Sequence, residues 1–264
     1  MHQAVGANAC LPNLTEEPGS WGGWLRKRLP AAGLAHYDPH AVRVAGSEVW
    51  EATLEDLIEA ARGLTAGLPR RILGVTGAPG AGKSQLADLL VGALTPKAIL
   101  VPMDGFHLAQ EQLARLGRLG RKGAPDTFDA AGYVNVLRRL RDRSDEVVYA
   151  PAFNREIEEP IAGAIAVPVG VPLIVTEGNY LLLESEPWLV LRELLDEVWF
   201  LDPGEDVRID RLIARHVAYG KPLDAARAWS LGSDQHNAEL VACTRARADR
   251  IVRIVPETVE PPGE

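Results

Sequence analysis

The sequence predicts an α/β fold with parallel strand pairing, and three observations carry that prediction. Short apolar runs at 72–75, 98–103, 172–177 and 196–202 are too brief for helices and read as buried strands. Stretches of helical period lie between them. Strand, helix, strand in that order implies parallel neighbours joined by a right-handed crossover. A chain of 264 residues with 47% hydrophobic content suffices for one large domain with extensions.

Residues 1–52 are expected to form an N-terminal extension, because Pro12, Pro18, Gly19, Gly22, Gly23, Pro30 and Pro39 interrupt any long periodic pattern. A short helix at 24–29 is compatible with the sequence. His36, Asp38 and His40 invite a metal reading, but Pro39 breaks the helical geometry such a pair needs, so a loop is expected. Trp21, Trp24 and Trp50 read as packing residues.

The main domain is expected over 53–255. Thr53 is placed to cap a helix, Asp56 follows three residues on, and Leu54, Leu57, Ile58 and Ala61 keep helical spacing. After the strand at 72–75 comes Gly77-Ala78-Pro79-Gly80-Ala81-Gly82-Lys83-Ser84, a full match to G-x-x-x-x-G-K-[ST], with Gln85 continuing into a helix. The glycines let successive N–H groups point inward at phosphate oxygens, and the helix start adds partial positive charge. Lys83 is expected on the β/γ-phosphates and Ser84 on Mg²⁺.

The next strand, 98–103, leads to Asp104. Residues 117–123 form a basic loop carrying Arg118, Arg121 and Lys122, read either as a solvated turn or as an anion contact. Asp126 and Asp129 open a helix whose apolar face is Tyr133, Val136, Leu137 and Leu140. Residues 147–153 look extended, and 164–169 read as a short edge strand because of Pro168. The run 172–177 ends on Glu177, the acid expected beside Mg²⁺ in a phosphate-loop protein. Strands are expected at 196–202 and 250–255. Between them, Arg208, Arg211 and Arg215 are read as one cationic stripe opposite Ile209, Leu212, Ile213 and His216, a helical lid over transferring phosphates. The tail at 256–264 is Pro- and Glu-rich and expected to be disordered.

Four stretches together resemble the kinase superfamily of uridine kinase, phosphoribulokinase and bacterial pantothenate kinase. They are the loop 77–84, Met103-Asp104-Gly105-Phe106-His107, Ala124-Pro125-Asp126-Thr127-Phe128-Asp129, and Val175-Thr176-Glu177-Gly178-Asn179-Tyr180-Leu181-Leu182. The resemblance covers roughly residues 54–255. It implies the P-loop NTPase fold, with a five-stranded parallel sheet, helices on both faces, short extra strands and a helical lid. It also implies ATP-dependent phosphoryl transfer to a substrate hydroxyl, with Asp104 orienting or accepting the hydroxyl proton and Glu177 near the metal. Arg211 and Arg215 match the lid loosely. Candidate substrate contacts are Asp104, His107, Arg121, Lys122, Asp126, Phe128, Tyr149, Phe153, Asn154, Arg155, Glu177 and Tyr180. Where uridine kinases tend to carry an aspartate in a P-x-Y-D stretch, this chain has Pro151-Ala152-Phe153-Asn154, a departure at the nucleoside-recognition position.

The implied cofactors are ATP and Mg²⁺, and the implied partner is a small molecule bearing a hydroxyl. A net charge of −8 argues against nucleic acid and anionic membranes as partners. Cys10 and Cys243 show no metal-ligand spacing, and no apolar run approaches the length of a membrane span, so a cytoplasmic protein is expected, with a homodimer through the extension compatible. A nucleotide-controlled switch is the alternative. Against it, neither N-K-x-D nor L-S-G-G-Q is present.

Overall fold

The computed structural model describes residues 48–66 and 69–257. The helix expected at 24–29, the loop at 36–40 and most of the C-terminal tail lie outside the described residues. The strands are β1 (Val49–Ala52), β2 (Arg71–Thr76), β3 (Ala98–Leu100), β4 (Val147–Asn154), β5 (Glu159–Pro168), β6 (Leu173–Glu177), β7 (Glu197–Leu201) and β8 (Arg250–Ile254). The helices are α1 (Leu54–Gly63), α2 (Lys83–Leu94), α3 (Gln110–Arg115), α4 (Ala130–Asp142), α5 (Leu191–Leu194), α6 (Glu205–Ala218), α7 (Leu223–Leu231) and α8 (Ser233–Ala242).

Six strands form one parallel sheet in the order β1-β8-β7-β2-β6-β3. The expectation of five strands is corrected here. Residues 49–52, assigned by sequence to the extension, pair with β8 from Val49↔Ile251 to Ala52↔Ile254. Trp50 packs edge-on against Trp199 at 6.1 Å and lies under the Arg250 guanidinium, so an aromatic anchor fixes this edge.

Both faces of the sheet are covered, which is why its central strands read as continuous apolar runs. Leu73, Val75, Val175, Trp199 and Leu201 turn toward a core completed by Leu57 and Ala61 of α1 and Leu86 and Leu90 of α2. Ile72, Ile174, Val198 and Phe200 turn the other way, toward Tyr133, Leu137 and Leu140 of α4 and Trp188. α1 begins as expected, with a reciprocal capping box between Thr53 and Asp56. Asp129 caps α4 by accepting from the Gly132 amide at 2.9 Å.

Two elements differ from expectation. The strand predicted to run from 98 to 103 stops at Leu100, and Met103–Phe106 forms a 3₁₀ turn that carries Asp104 out of the sheet. The predicted short strand at 164–169 is instead part of the ten-residue β5. It pairs antiparallel with β4 as a hairpin separate from the main sheet, with a register irregularity between Ala150 and Ala152. The proline reading holds in part: Pro168 terminates the strand and pairs with Val147 at its end. Among the described residues no helix is long and apolar enough to cross a membrane.

Candidate active site

The loop between β2 and α2 is built on glycines in the left-handed half of backbone space. Gly77 (φ 145°), Gly80 (φ 86°) and Gly82 (φ 96°) adopt conformations that side chains strain. At Gly77 a Cβ would also lie 2.7 Å from the Leu201 carbonyl oxygen, so the loop is pressed against the end of β7. Gly82 is the N-cap of α2 and offers no capping side chain. The first amides of α2 therefore remain available to an anion.

Lys83 is buried beneath this loop, and its Nζ donates to the Ala78 carbonyl oxygen at 3.1 Å. Glu177, at the end of β6, is equally buried. Loss of water pushes the Lys83 ammonium below its ordinary range, opposed by the negative charges of Glu177 and Asp104. Burial likewise raises the Glu177 carboxyl, and Asp104 raises it further, while Lys83, a hydrogen bond from Ser84 and Arg155 pull it down. Lys83, Ser84, Glu177 and Asp104 thus share one electrostatic site at the carboxyl ends of β2 and β6.

The turn bearing Asp104 is fixed from both sides. At Gly105 a Cβ would lie 2.3 Å from the Pro151 carbonyl oxygen, and at Gly178 it would meet Met103 at 2.6 Å. Those two close approaches lock the 3₁₀ turn between hairpin and sheet. Behind it, Thr176 donates to the Val101 carbonyl oxygen at 2.5 Å and accepts from the Tyr133 hydroxyl at 2.5 Å. Thr76 donates to the Gly178 carbonyl oxygen at 2.8 Å. These buried hydroxyls, which carried no signal at the sequence level, hold the strand ends that present Asp104 and Glu177.

Several predicted substrate residues converge beside Asp104. Arg155 approaches it, with Nη2 to Oδ2 at 3.7 Å. His107 Nδ1 lies 2.8 Å from the Asp104 carbonyl oxygen, and its ring is flanked by Phe128 at 4.0 Å and Phe153 at 4.9 Å. Burial pushes the His107 imidazolium down, favouring the neutral ring. Lys122 reaches over the Phe153 ring at 5.0 Å and donates to the Glu158 carbonyl oxygen. Asn154 uses its Oδ1 locally, accepting from the Glu156 amide at 2.9 Å.

Other candidates are engaged elsewhere. Asp126 pairs with Arg121 at 2.5 Å and Arg118 at 3.3 Å, so both arginines of the basic loop are turned to one neighbouring carboxylate. Tyr180 is fully buried, packs on Phe128 and Trp188, and donates its hydroxyl to the Gly123 carbonyl oxygen at 2.5 Å. It anchors the basic loop. Tyr149 stands exposed on β4, between the buried Val148 and Ala150.

The cationic stripe of α6 is divided. Arg211 and Arg215 are exposed as predicted, with Arg211 Nη1 3.5 Å from the Ala81 carbonyl oxygen. Arg208 shares their side of the helix, at i−3 from Arg211 and i−7 from Arg215, but not their exposure. It is buried with Leu212 against the loop apex, one turn apart on the same side of the helix. The signal that could have separated it is local: Glu205 at i−3 to neutralise it and Leu212 at i+4 beside it.

Comparison with known proteins agrees with this geometry. No family model matches the chain. An ATP-dependent kinase-like protein of Aspergillus versicolor is 35% identical over 159 residues, 57% of this chain and 92% of the relative. A Schizosaccharomyces pombe protein provisionally named a uridine kinase is 33% identical over 160 residues, covering 57% of this chain and 68% of the relative. A crystal structure from Silicibacter sp. TM1040, provisionally described as a fructose transport system kinase, superposes with a TM-score of 0.69 at 35% identity, covering 76% of this chain and 98% of that one. With a full phosphate loop, a buried lysine and glutamate beside it and relatives aligned over most of their own length, the chain belongs to the ATP-dependent small-molecule kinases of the phosphate-loop type represented by these kinase-like and uridine-kinase-like relatives.

Proposed function

We propose that the protein transfers the γ-phosphoryl group of MgATP to a hydroxyl of a small polar acceptor, in the class of nucleosides, sugars and pantothenate-like alcohols. The observation that carries this reading is the joint placement of Lys83, Glu177 and Asp104 beside the phosphate loop, two of them buried and each within electrostatic reach of the others. A water-poor site strengthens each of these charges against a transferring phosphoryl group.

The residues fit MgATP. Positive-φ glycines shape the loop, the N-cap Gly82 leaves the first amides of α2 without a capping side chain, Gln85 continues α2 behind it, and Lys83 can exchange the Ala78 carbonyl oxygen for a phosphate oxygen. Ser84 and Glu177 would hold Mg²⁺. Few protein ligands are needed, because this ion keeps waters and nucleotide oxygens in its shell. Among the described residues no group of three or more His, Cys, Asp or Glu side chains forms a protein-only cage, which fits that coordination. When bound, Mg²⁺ neutralises charge on the terminal phosphates.

Asp104 receives the proton of the acceptor hydroxyl as its oxygen bonds to the γ-phosphorus and the bond to the β-phosphate bridging oxygen breaks. Arg211 and Arg215 supply positive charge from α6. Arg155, His107, Phe128, Phe153, Asn154 and Lys122 shape the acceptor side, with Arg121 and Asp126 stiffening the loop that bears Lys122. An acidic chain that uses ATP on a small molecule fits a cytoplasmic setting and no nucleic-acid partner. The test is a coupled ADP-release screen across nucleosides, sugars and pantothenate-like alcohols. The proposal expects one class to stimulate Mg²⁺-dependent ADP release; equal release with and without every acceptor contradicts it.

A further inference from the structure

Arg208 lies on the buried face of α6 with a side chain only 4% exposed. A buried guanidinium is costly unless its donors are satisfied, and here they are satisfied in three directions. Nη1 donates to the Pro79 carbonyl oxygen at 3.2 Å, at the apex of the phosphate loop. Nε and Nη2 donate to the Glu205 carboxylate at 3.0 and 2.6 Å, on the same helix. Nη2 also donates to Gln235 Oε1, on α8. One planar fork therefore joins the loop, the arginine helix and the helix behind it.

Backbone contact at the same point leaves little slack. A Cβ at Gly80 would lie 2.5 Å from the Arg208 carbonyl oxygen and 3.3 Å from the Leu212 Cβ. The loop apex thus rests directly on the first turns of α6, immediately before the turn that carries Arg211. Beside this contact a small cleft, lined by Ala78, Glu205, Arg208, Gln235, Ala242 and Arg245, lies between the loop and α8. Arg208 is the side chain that bridges from loop apex to α8 across that region.

We propose that Arg208 is a positioning residue for the donor nucleotide, setting the register between the phosphate loop and α6 so that Arg211 and Arg215 stand over the loop. The inference rests on the loop holding MgATP. Its role differs from that of a phosphate contact, since each of its three guanidinium nitrogens donates to a protein group. It also differs from simple core packing, because its effect passes through Arg211.

The test is MgATP affinity of the full-length protein by calorimetry, which needs no acceptor. Arg208→Met is expected to weaken MgATP binding by about 10- to 100-fold, the size of lost charge-assisted hydrogen bonds. In a double-mutant cycle, the cost of Arg211→Ala should shrink by more than about threefold in the Arg208→Met background, because Arg211 is already misplaced. A lower melting temperature with MgATP affinity within about twofold of wild type, or strictly additive effects, overturns the proposal. Should Arg208→Met fail to fold, Gln235→Met removes only the α8 arm. Its expected loss in MgATP affinity is about 3- to 10-fold, and unchanged affinity overturns the proposal on its own. Lys83→Ala is the separate control: undiminished affinity there means the loop is not the MgATP site, a failure of the functional reading rather than of Arg208's role.

Discussion

At the scale of single residues, Lys83 and Glu177 are opposite charges stripped of water and shifted in opposite directions, the lysine down and the glutamate up. The sign of each shift predicts proton traffic on binding. At about pH 6 the free protein retains a proton on Glu177, and metal binding must expel it; at about pH 9 part of Lys83 is neutral, and the triphosphate charge draws a proton back. The calorimetric enthalpy of MgATP binding is therefore expected to depend on buffer ionisation enthalpy with opposite slopes at the two ends. Glu177→Gln should remove the acid-side release, and a buffer-independent enthalpy at both pH values contradicts the assignment. The loop was legible in the sequence because its spacing encodes a backbone geometry, Glu177 was singled out as the acid ending an apolar run, and Asp104 was assigned through the family resemblance. Thr176 and Tyr133 were not legible, because a buried hydroxyl pair depends on which strand and helix come to face each other.

At the scale of elements, the 3₁₀ turn bearing Asp104 is clamped beneath the β4–β5 hairpin at Gly105. Gly105→Ala is expected to cost about 1–3 kcal/mol by overpacking against the Pro151 carbonyl. Since the hairpin also carries Phe153 and Arg155, that substitution should raise acceptor KM more than MgATP Kd. Equal change in both constants would place the clamp outside the acceptor side. Helix starts and buried strands followed from local chemistry: Thr53 and Asp56 closed the capping box, and the runs at 72–75 and 172–177 became central strands. α6 was read correctly as a helix but wrongly in which of its positions are buried. Apolar periodicity placed Arg208 outside, whereas a salt bridge to Glu205 and bonds to Pro79 and Gln235 make its burial tolerable.

At the scale of the whole molecule, the sheet's sixth strand ties residues 49–52 to the opposite end of the chain through β8. The proline-rich composition upstream drew the sequence boundary at 52, since four residues are too few for a periodic signal. Truncation separates the two readings. A chain beginning at Glu48 retains all six strands of the sheet, and its mass in solution and acceptor KM report whether residues 1–47 support a dimer or cover the pocket. A chain beginning at Thr53 loses Trp50 and Ala52 from the core and should melt lower by about 5–10 °C, from roughly 2–3 kcal/mol of lost burial. Equal melting temperatures for both would show that β1 contributes nothing to stability.

The central claim is that the phosphate loop and Asp104 serve one transfer reaction, the loop holding the donor and Asp104 the acceptor proton. Acceptor-stimulated ADP release by the wild type and by Asp104→Asn, measured side by side with the acceptor found in the screen, tests this most directly. The account predicts a fall in kcat of about 10²- to 10⁴-fold with MgATP Kd nearly unchanged. A kcat for Asp104→Asn within a few fold of wild type would contradict it.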